Sequence, residues 1–296
     1  MGLAKPRFSI IVPTYKRPAQ LAACLQAIAR LDYPRDGFEV IVVNDGSQAP
    51  PQALIASFKD RLDMTLLKQA HAGPGAARNT GAAKARGKYL AFTDDDCLPV
   101  PDWLQTLAVR FEKVPESAVG GRTLNALPDN PYSTASQVLV DYLYSYYNAN
   151  HDQARFFTSM NLAVPAERFR MLGGFDVSWP YAAGEDRELC DRWLYHGFQM
   201  VYAQEVNIYH VHALTFRTFC RQHFCYGRGA FHFHKARAQR GLGRIKLEPL
   251  LFYRNLLRQP FSPVRERRAL LLVTLLLVSQ VVNAAGFFWE RLSYKV

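Results

Sequence analysis

The chain has 296 residues, 49% of them hydrophobic, so it can bury a sizeable core and global disorder is excluded. Its formal net charge of +11 is unevenly placed: residues 217–268 carry 13 Lys/Arg against 2 Asp/Glu, while the preceding part is close to neutral. Five scattered cysteines (Cys24, Cys97, Cys190, Cys220, Cys225) argue against a disulfide framework. With no charged-then-apolar leader, the N-terminal part is expected in a reducing cytoplasm.

In chain order, Phe8 to Pro13 reads as a short buried strand that Pro13 stops. Pro18 suits the first turn of a helix with Leu21, Leu25 and Ile28 on its apolar face. Phe38 to Val43 predicts a second strand, closed by the turn Asn44-Asp45-Gly46-Ser47. A helical stretch from Gln52 to Arg61 and a strand from Met64 to Leu67 follow. Gly73-Pro74-Gly75 opens an Ala-rich helix to about Ala85, and Lys88 to Thr93 is the next strand. That strand runs directly into Asp94-Asp95-Asp96. A helix from Pro101 to about Val114 and a strand near Ala118 to Arg122 come next. Alternating strands and helices predict an α/β fold with a mainly parallel sheet covered on both faces. Such sheets bind ligands beyond the carboxyl ends of their strands, where Tyr15, Asp45 and Asp94 should converge.

Tyr132 to Tyr147 predicts an aromatic-rich helix whose rings pack on the sheet or line an acceptor groove. A strand from Asn161 to Val164, a helix from Ala166 to Met171 and a turn at Gly173 to Asp176 follow. Gly184-Glu185-Asp186 precedes a helix with Leu189, Trp193 and Leu194 inward. Tyr209-His210-Val211-His212 ends a strand, where alternation would put the two imidazoles on opposite faces. Arg217 to Gly229 interleaves cations and aromatics at helical spacing. No recognition motif accompanies that charge, so nucleic acid is not an expected partner.

Ala269 to Trp289 is 21 residues without a charge, enough to cross a bilayer. Arg265, Arg267 and Arg268 precede it, Trp289 is placed as an interfacial anchor, and the positive-inside rule keeps the catalytic part cytoplasmic. A weakly polar stripe (Ser279, Gln280, Asn283, Gly286) leaves interfacial, helix-pairing and buried readings open. The expected organisation is an α/β domain over 1–215, a basic helical extension over 216–268 and a membrane-associated helix over 269–296.

Three adjacent carboxylates repel one another and are best tolerated around a hard divalent cation, Mg²⁺ or Mn²⁺; the alternative is a solvated acidic turn. A carboxylate at a helix N-terminus is stabilised by the helix dipole, and one projecting into a cleft can act as a general base.

The chain resembles the inverting glycosyltransferase family 2, on Ser9-Ile-Ile-Val-Pro-Thr-Tyr-Lys-Arg-Pro18, Val42-Val-Asn-Asp-Gly-Ser47 and Gly73-Pro-Gly-Ala-Ala-Arg-Asn-Thr-Gly81. Phe92-Thr-Asp-Asp-Asp96, Gly173-Gly-Phe-Asp176 and Gly184-Glu-Asp186 continue it in the family's order, over residues 8 to about 215. The resemblance implies the GT-A nucleotide-sugar fold. It implies Thr14 and Tyr15, flanked by Pro13 and Arg17, as the nucleotide platform, Asp45 on uracil or ribose, and Arg78 near the nucleotide. Asp94 and Asp96 match the Asp-x-Asp pair, with Asp96 the leading metal ligand, Asp94 on ribose or the metal, and Asp95 beside them. His212, with His210 second, is nominated to complete the metal site. Asp186 matches the base that activates an acceptor hydroxyl for inverting attack on the anomeric carbon.

The processive synthases of this superfamily carry Gln-x-x-Arg-Trp where this chain has Gln222-His-Phe-Cys-Tyr226, which favours transfer of a single sugar. The expected donor is a UDP-sugar and the expected acceptor a glycan or lipid-linked hydroxyl, in cell-surface glycan, lipopolysaccharide or glycolipid synthesis. The expected location is the cytoplasmic face of the membrane. A non-catalytic nucleotide-sugar-binding regulator is the alternative, although it would have no need of the base.

Overall fold

A computed structural model describes residues 6–178, 183–242, 248–261 and 266–294. Strand β1 (Phe8–Thr14) lies between β2 (Phe38–Asp45) and β4 (Tyr89–Phe92), with β3 (Met64–Gln69) outside β2. These four strands are parallel. Every residue of β1 and β2 is buried. Covering on both faces is why they are continuous apolar runs rather than alternating ones. The buried Glu39 is satisfied by Ser9 Oγ at 2.6 Å and by the backbone N–H and guanidinium of Arg86 at 2.7 and 2.8 Å.

Beyond β4 the sheet becomes mixed. β7 (Leu162–Pro165) is antiparallel to β4 and to β6 (Ala118–Asn125), and β6 is parallel to β8 (Met200–His210). A three-residue strand, β5 (Cys97–Pro99), pairs antiparallel with the end of β8 and completes the eight-stranded order β3-β2-β1-β4-β7-β6-β8-β5. The expected parallel sheet thus covers one half and an antiparallel seam the other. Asn161 locks that seam: its Nδ2 donates to the carbonyls of Arg122 and Val206, and its Oδ1 accepts from Trp103 Nε1 at 2.9 Å.

Helices α1 (Pro18–Ile28) and α4 (Trp103–Lys113) cover one face through Leu21, Leu25, Trp103 and Phe111, while α2 (Gln52–Ala56) is a shorter turn than expected. The other face carries α3 (Pro74–Lys84), α6 (Ala166–Met171) and α7 (Glu185–Tyr195) through Ala77, Phe169 and Trp193.

The aromatic helix α5 (Pro131–Tyr147) begins on Asn130, whose side chain accepts from the N–H groups of Tyr132 and Ser133. Its Tyr144 is buried against Tyr202 of the sheet, as the packing reading expects, whereas the buried Tyr142 packs on Phe252 and Leu276 instead. Helix α8 (Phe216–Gln239) opens with a Thr215/Thr218 capping box, and α9 (Leu250–Arg258) and α10 (Glu266–Ser293) follow. These helices do not stand apart. Ala135 of α5, Phe219 of α8 and Leu272 of α10 share one apolar cluster; Tyr142 of α5, Phe252 of α9 and Leu276 of α10 share another. Arg265, counted among the flanking arginines in the sequence, lies outside the described residues.

Candidate active site

The parallel strands end together: Thr14 aligns with Asn44, and Ile11 with Phe92, so the residues after them share one edge. At the end of β1, Lys16 adopts a left-handed backbone with φ 56°, a conformation that costs a non-glycine residue free energy. Its N–H is held by Ser47 Oγ at 2.8 Å, which ties the β1 loop to the β2 turn. Tyr15 stacks on His71 at 4.1 Å between ring centroids, and the Lys16 ammonium lies 4.9 Å from the same ring. One face of the expected platform is therefore covered by a residue that the sequence reading did not nominate. The signal for His71 was weak: it is a single imidazole just past the third strand.

Asp45 ends β2, buried. Its oxygens accept from the N–H groups of Ala72 and Gly73 at 2.9 Å and from Gln69 Nε2 at 2.7 Å, with His71 Nδ1 at 2.8 Å. Asp45 thereby shapes the loop that leads into α3 and aims Arg78 at the site.

Arg78 is almost fully buried and bridges two carboxylates, with one guanidinium nitrogen 2.5 Å from Asp94 and the other 3.4 Å from Glu185. It joins the end of β4 to the start of α7. Burial alone would lower its pKa, but Asp94 and Glu185 hold it above the ordinary value.

The acidic triplet divides into three environments. Asp94 faces Arg78. Asp95 turns inward, accepting from Thr14 Oγ1 at 2.7 Å, and burial pushes its pKa up to about 6. Asp96 lies between a guanidinium and an imidazole: Arg17 at 2.8 Å from Oδ2, and His210 Nε2 at 3.5 Å from Oδ1. Burial would raise its pKa, but His210 and Arg17 hold it at about 2. Arg17 also reaches Asp95 at 3.3 Å.

The pairing of β5 with β8 brings His210 here, since Cys97 and His210 are register partners and the Val211 N–H donates to the Asp96 carbonyl. The expectation that His210 and His212 face opposite sides is corrected. Their rings stack at 4.5 Å, because His210 is the last residue of β8 and strand alternation no longer governs His212. Burial, with His210 beside it, lowers the His212 pKa to about 4.

Among the described residues, Asp96, Cys97 and His210 are the group whose donor atoms lie close enough to share a metal ion, within 4.8 Å of one another. The carboxylate suits Mn²⁺ or Mg²⁺, while the imidazole is a donor more typical of Zn²⁺ or Fe²⁺. Cys97 fits less well: it is fully buried, and burial keeps its thiol protonated.

Glu185 and Asp186 begin α7, after Gly184 at φ 87°, against which the Gly229 backbone of α8 packs. A methyl on Gly229 would lie 2.2 Å from the Ala183 carbonyl oxygen, so the two backbones are in direct contact. Burial raises the pKa of both carboxyls, that of Glu185 to about 7. Glu185 Oε2 is buried without a hydrogen-bond partner. Asp186 Oδ1 accepts from the Arg187 N–H at 2.7 Å.

Two carboxylate groups thus face each other across Arg78, one at a strand end and one at a helix start. The profile of Glycosyl transferase family 2 matches residues 9–172 of the chain. The chain belongs to glycosyltransferase family 2. It is 29% identical over 228 residues to validoxylamine A glucosyltransferase of Streptomyces hygroscopicus subsp. jinggangensis, covering 68% of this chain and 54% of that protein. It is 33% identical over 127 residues to glycosyltransferase AglE of Haloferax volcanii, covering 42% and 41%. The chain spans about half the length of the curated relatives it matches.

Among solved structures, mannosyltransferase PcManGT from Pyrobaculum calidifontis, in complex with GDP-Man and Mn²⁺, superposes with a TM-score of 0.68 at 20% identity. The match covers 97% of this chain and 88% of that one. S. aureus TarS 1-349 in complex with UDP-GlcNAc gives a TM-score of 0.56 at 16% identity, covering 97% and 91%. This family 2 chain has the GT-A fold.

Proposed function

We propose that this family 2 chain is a metal-dependent, inverting glycosyltransferase that moves one sugar from a nucleotide-sugar to an acceptor hydroxyl at a membrane surface. The observation that carries the reading is the Asp94–Arg78–Glu185 bridge, which holds the strand-end carboxylates opposite the helix that bears Asp186. One group of carboxylates is suited to the diphosphate side of the donor, the other to the acceptor.

Asp96 and His210 would hold the divalent ion, with Asp94 and His212 next to them. That ion would supply Lewis-acid stabilisation of the departing diphosphate. The Tyr15–His71 pair, with Pro13 and Thr14 beneath it, would seat the base, and Asp45 would fix the loop around the ribose. Arg17 would offer its cation to the diphosphate as well as to Asp95 and Asp96. Asp186 would accept the acceptor's proton, and its raised pKa brings it nearer to the working pH of a general base. Back-side attack on the anomeric carbon in one displacement inverts configuration.

PcManGT with GDP-Man and Mn²⁺, and TarS with UDP-GlcNAc, support a nucleotide-sugar donor and a divalent ion. The poly(ribitol-phosphate) β-N-acetylglucosaminyltransferase TarS supports a cell-envelope glycan acceptor. A UDP-sugar is the first donor to test, with the active face in the cytoplasm. The test is transfer of labelled sugar from a nucleotide-sugar panel with Mn²⁺, with and without chelator. Chelator-sensitive transfer with inverted product configuration supports the reading; hydrolysis and transfer that are absent across the panel overturn it.

A further inference from the structure

Helix α10 has two faces of opposite fate. Residues 269, 272, 276, 279, 286 and 290 are buried against the protein. The opposite stripe (Leu270, Leu277, Val281, Phe288 and Leu292) is exposed, Val281 at 69% and Leu292 at 84%. At 1.5 Å per residue that stripe runs about 33 Å, as long as a bilayer core is thick. The segment Arg268–Ser293 is long and apolar enough to cross a membrane. Its attachments decide otherwise.

The helix is pinned at both ends and in the middle. Arg268 donates to the Pro128 carbonyl at its start. Leu272 and Leu276 pack on α5, α8 and α9 in the middle. At its end Glu290 accepts from Arg228 Nε at 2.6 Å and lies 2.8 Å from His232 Nε2, both on α8. At Gly227 and Gly286 the two helices also meet backbone to backbone. A methyl on Gly227 would lie 1.9 Å from the Asn283 carbonyl oxygen, and one on Gly286 would lie 2.1 Å from that of Phe224. A helix held to this body along its length cannot stand across a bilayer unless α8 enters the hydrocarbon beside it. Helix α8 carries Arg217, Arg221, Arg228, Lys235 and Arg237, each costly there. Releasing α10 instead would strand the Glu290 carboxylate and uncover the apolar faces of α5 and α8.

We propose that α10 lies in the plane of an anionic bilayer surface, its outer stripe immersed among acyl chains and its inner stripe kept on the catalytic body. This rests on the membrane-surface reading above and specifies its geometry. Charge favours that occupant. Arg268 and Arg291 bracket the stripe and are exposed, and exposed Arg254 and Arg258 share α9 with exposed Leu250 and Leu251. No carboxylate occurs in α8 or α9. A leucine and aromatic face with an arginine rim matches lipid acyl chains under anionic headgroups. An acceptor carried on a lipid in that surface would then approach the Asp186 side of the site.

The experiment uses the full chain and vesicles of phosphatidylcholine, with or without phosphatidylglycerol. The chain is expected to float with the anionic vesicles and to be released by salt. The V281E/F288E double variant is expected to bind about tenfold or more weaker with an unchanged melting temperature. The Leu277→Trp variant then reports depth through lipids brominated near the headgroup or near the bilayer centre. Stronger quenching by the shallow bromines than by the deep ones supports the in-plane helix. Stronger quenching by the deep ones overturns it while leaving membrane binding intact. No flotation with either vesicle overturns the membrane reading as well. A V281E/F288E-sensitive dimer in sedimentation, without vesicle binding, would assign the stripe to a second copy of the chain.

Discussion

At the scale of residues, the carboxylates of the site differ by neighbour rather than by type. Contacts with His210 and Arg17 hold the Asp96 pKa low, whereas burial raises those of Glu185 and Asp186 at a helix start. Asp186→Asn keeps shape and removes the proposed base. It should lower kcat by about 10²–10⁴-fold while Mn²⁺ and donor still protect against thermal unfolding. In the native enzyme kcat should fall as pH drops through a pKa above the usual carboxylate range of roughly 4, and a pH–rate profile reads this directly. Glu185 allows a separate test. Its folded pKa of about 7 exceeds the ordinary 4.5, so the unfolded chain releases this proton first as pH rises. Native stability contributed by this group is full below about pH 4.5 and declines up to about pH 7. Glu185→Gln should therefore gain on the native protein across that window and hold a constant difference above it, measured by urea melts at several pH values. Equal pH dependence in the two proteins would count against the buried, raised carboxyl.

At the scale of elements, the parallel half of the fold was legible because β1, β2 and β4 are mainly apolar, buried runs that lead into Tyr15, Asp45 and Asp94. Arg78 meets Asp94 and Glu185, the neighbour of Asp186, so the residues of three separate motifs lie close together. What was not legible depended on non-local pairing. Strand β5 is three residues long and has no periodicity to detect, yet it brings His210 to Asp96. The alternation rule placed the two histidines on opposite faces because it assumed that the strand continued to His212, whereas it stops at His210. His71 had no motif to announce it, and only the folded loop stacks it on Tyr15. The polar stripe of α10 left interfacial, helix-pairing and buried readings open in the sequence, and the folded chain uses it for pairing: Asn283 and Gly286 meet Gly227 and Phe224 of α8. Gly227→Val should cost about 1–3 kcal/mol or more in a thermal melt, because a rigid branched side chain would overlap a backbone carbonyl. Ala284→Leu, on the exposed face of the same helix, should leave the melting temperature unchanged.

At the scale of the whole molecule, charge and apolar surface are concentrated where the catalytic sheet is not. On the proposed reading, the neutral GT-A part would handle donors whose phosphates are screened by a few local cations, while the basic helices on α5 would supply attraction to an anionic surface. Raising ionic strength should therefore release the protein from vesicles while transfer to a soluble acceptor changes by less than about threefold.

The contact between Gly229 and Ala183 gives these two regions a mechanical relation. Side chains can turn to another rotamer and absorb a push, but two abutting backbones cannot. A tilt imposed on α8 through α10 is passed to the turn before α7, and so to the direction in which Asp186 points. On the proposed in-plane docking, the lipid surface would act as a rigid jig as well as a landing site. Turnover per donor-saturated molecule should rise on anionic vesicles even with a water-soluble acceptor, with no change in donor KM.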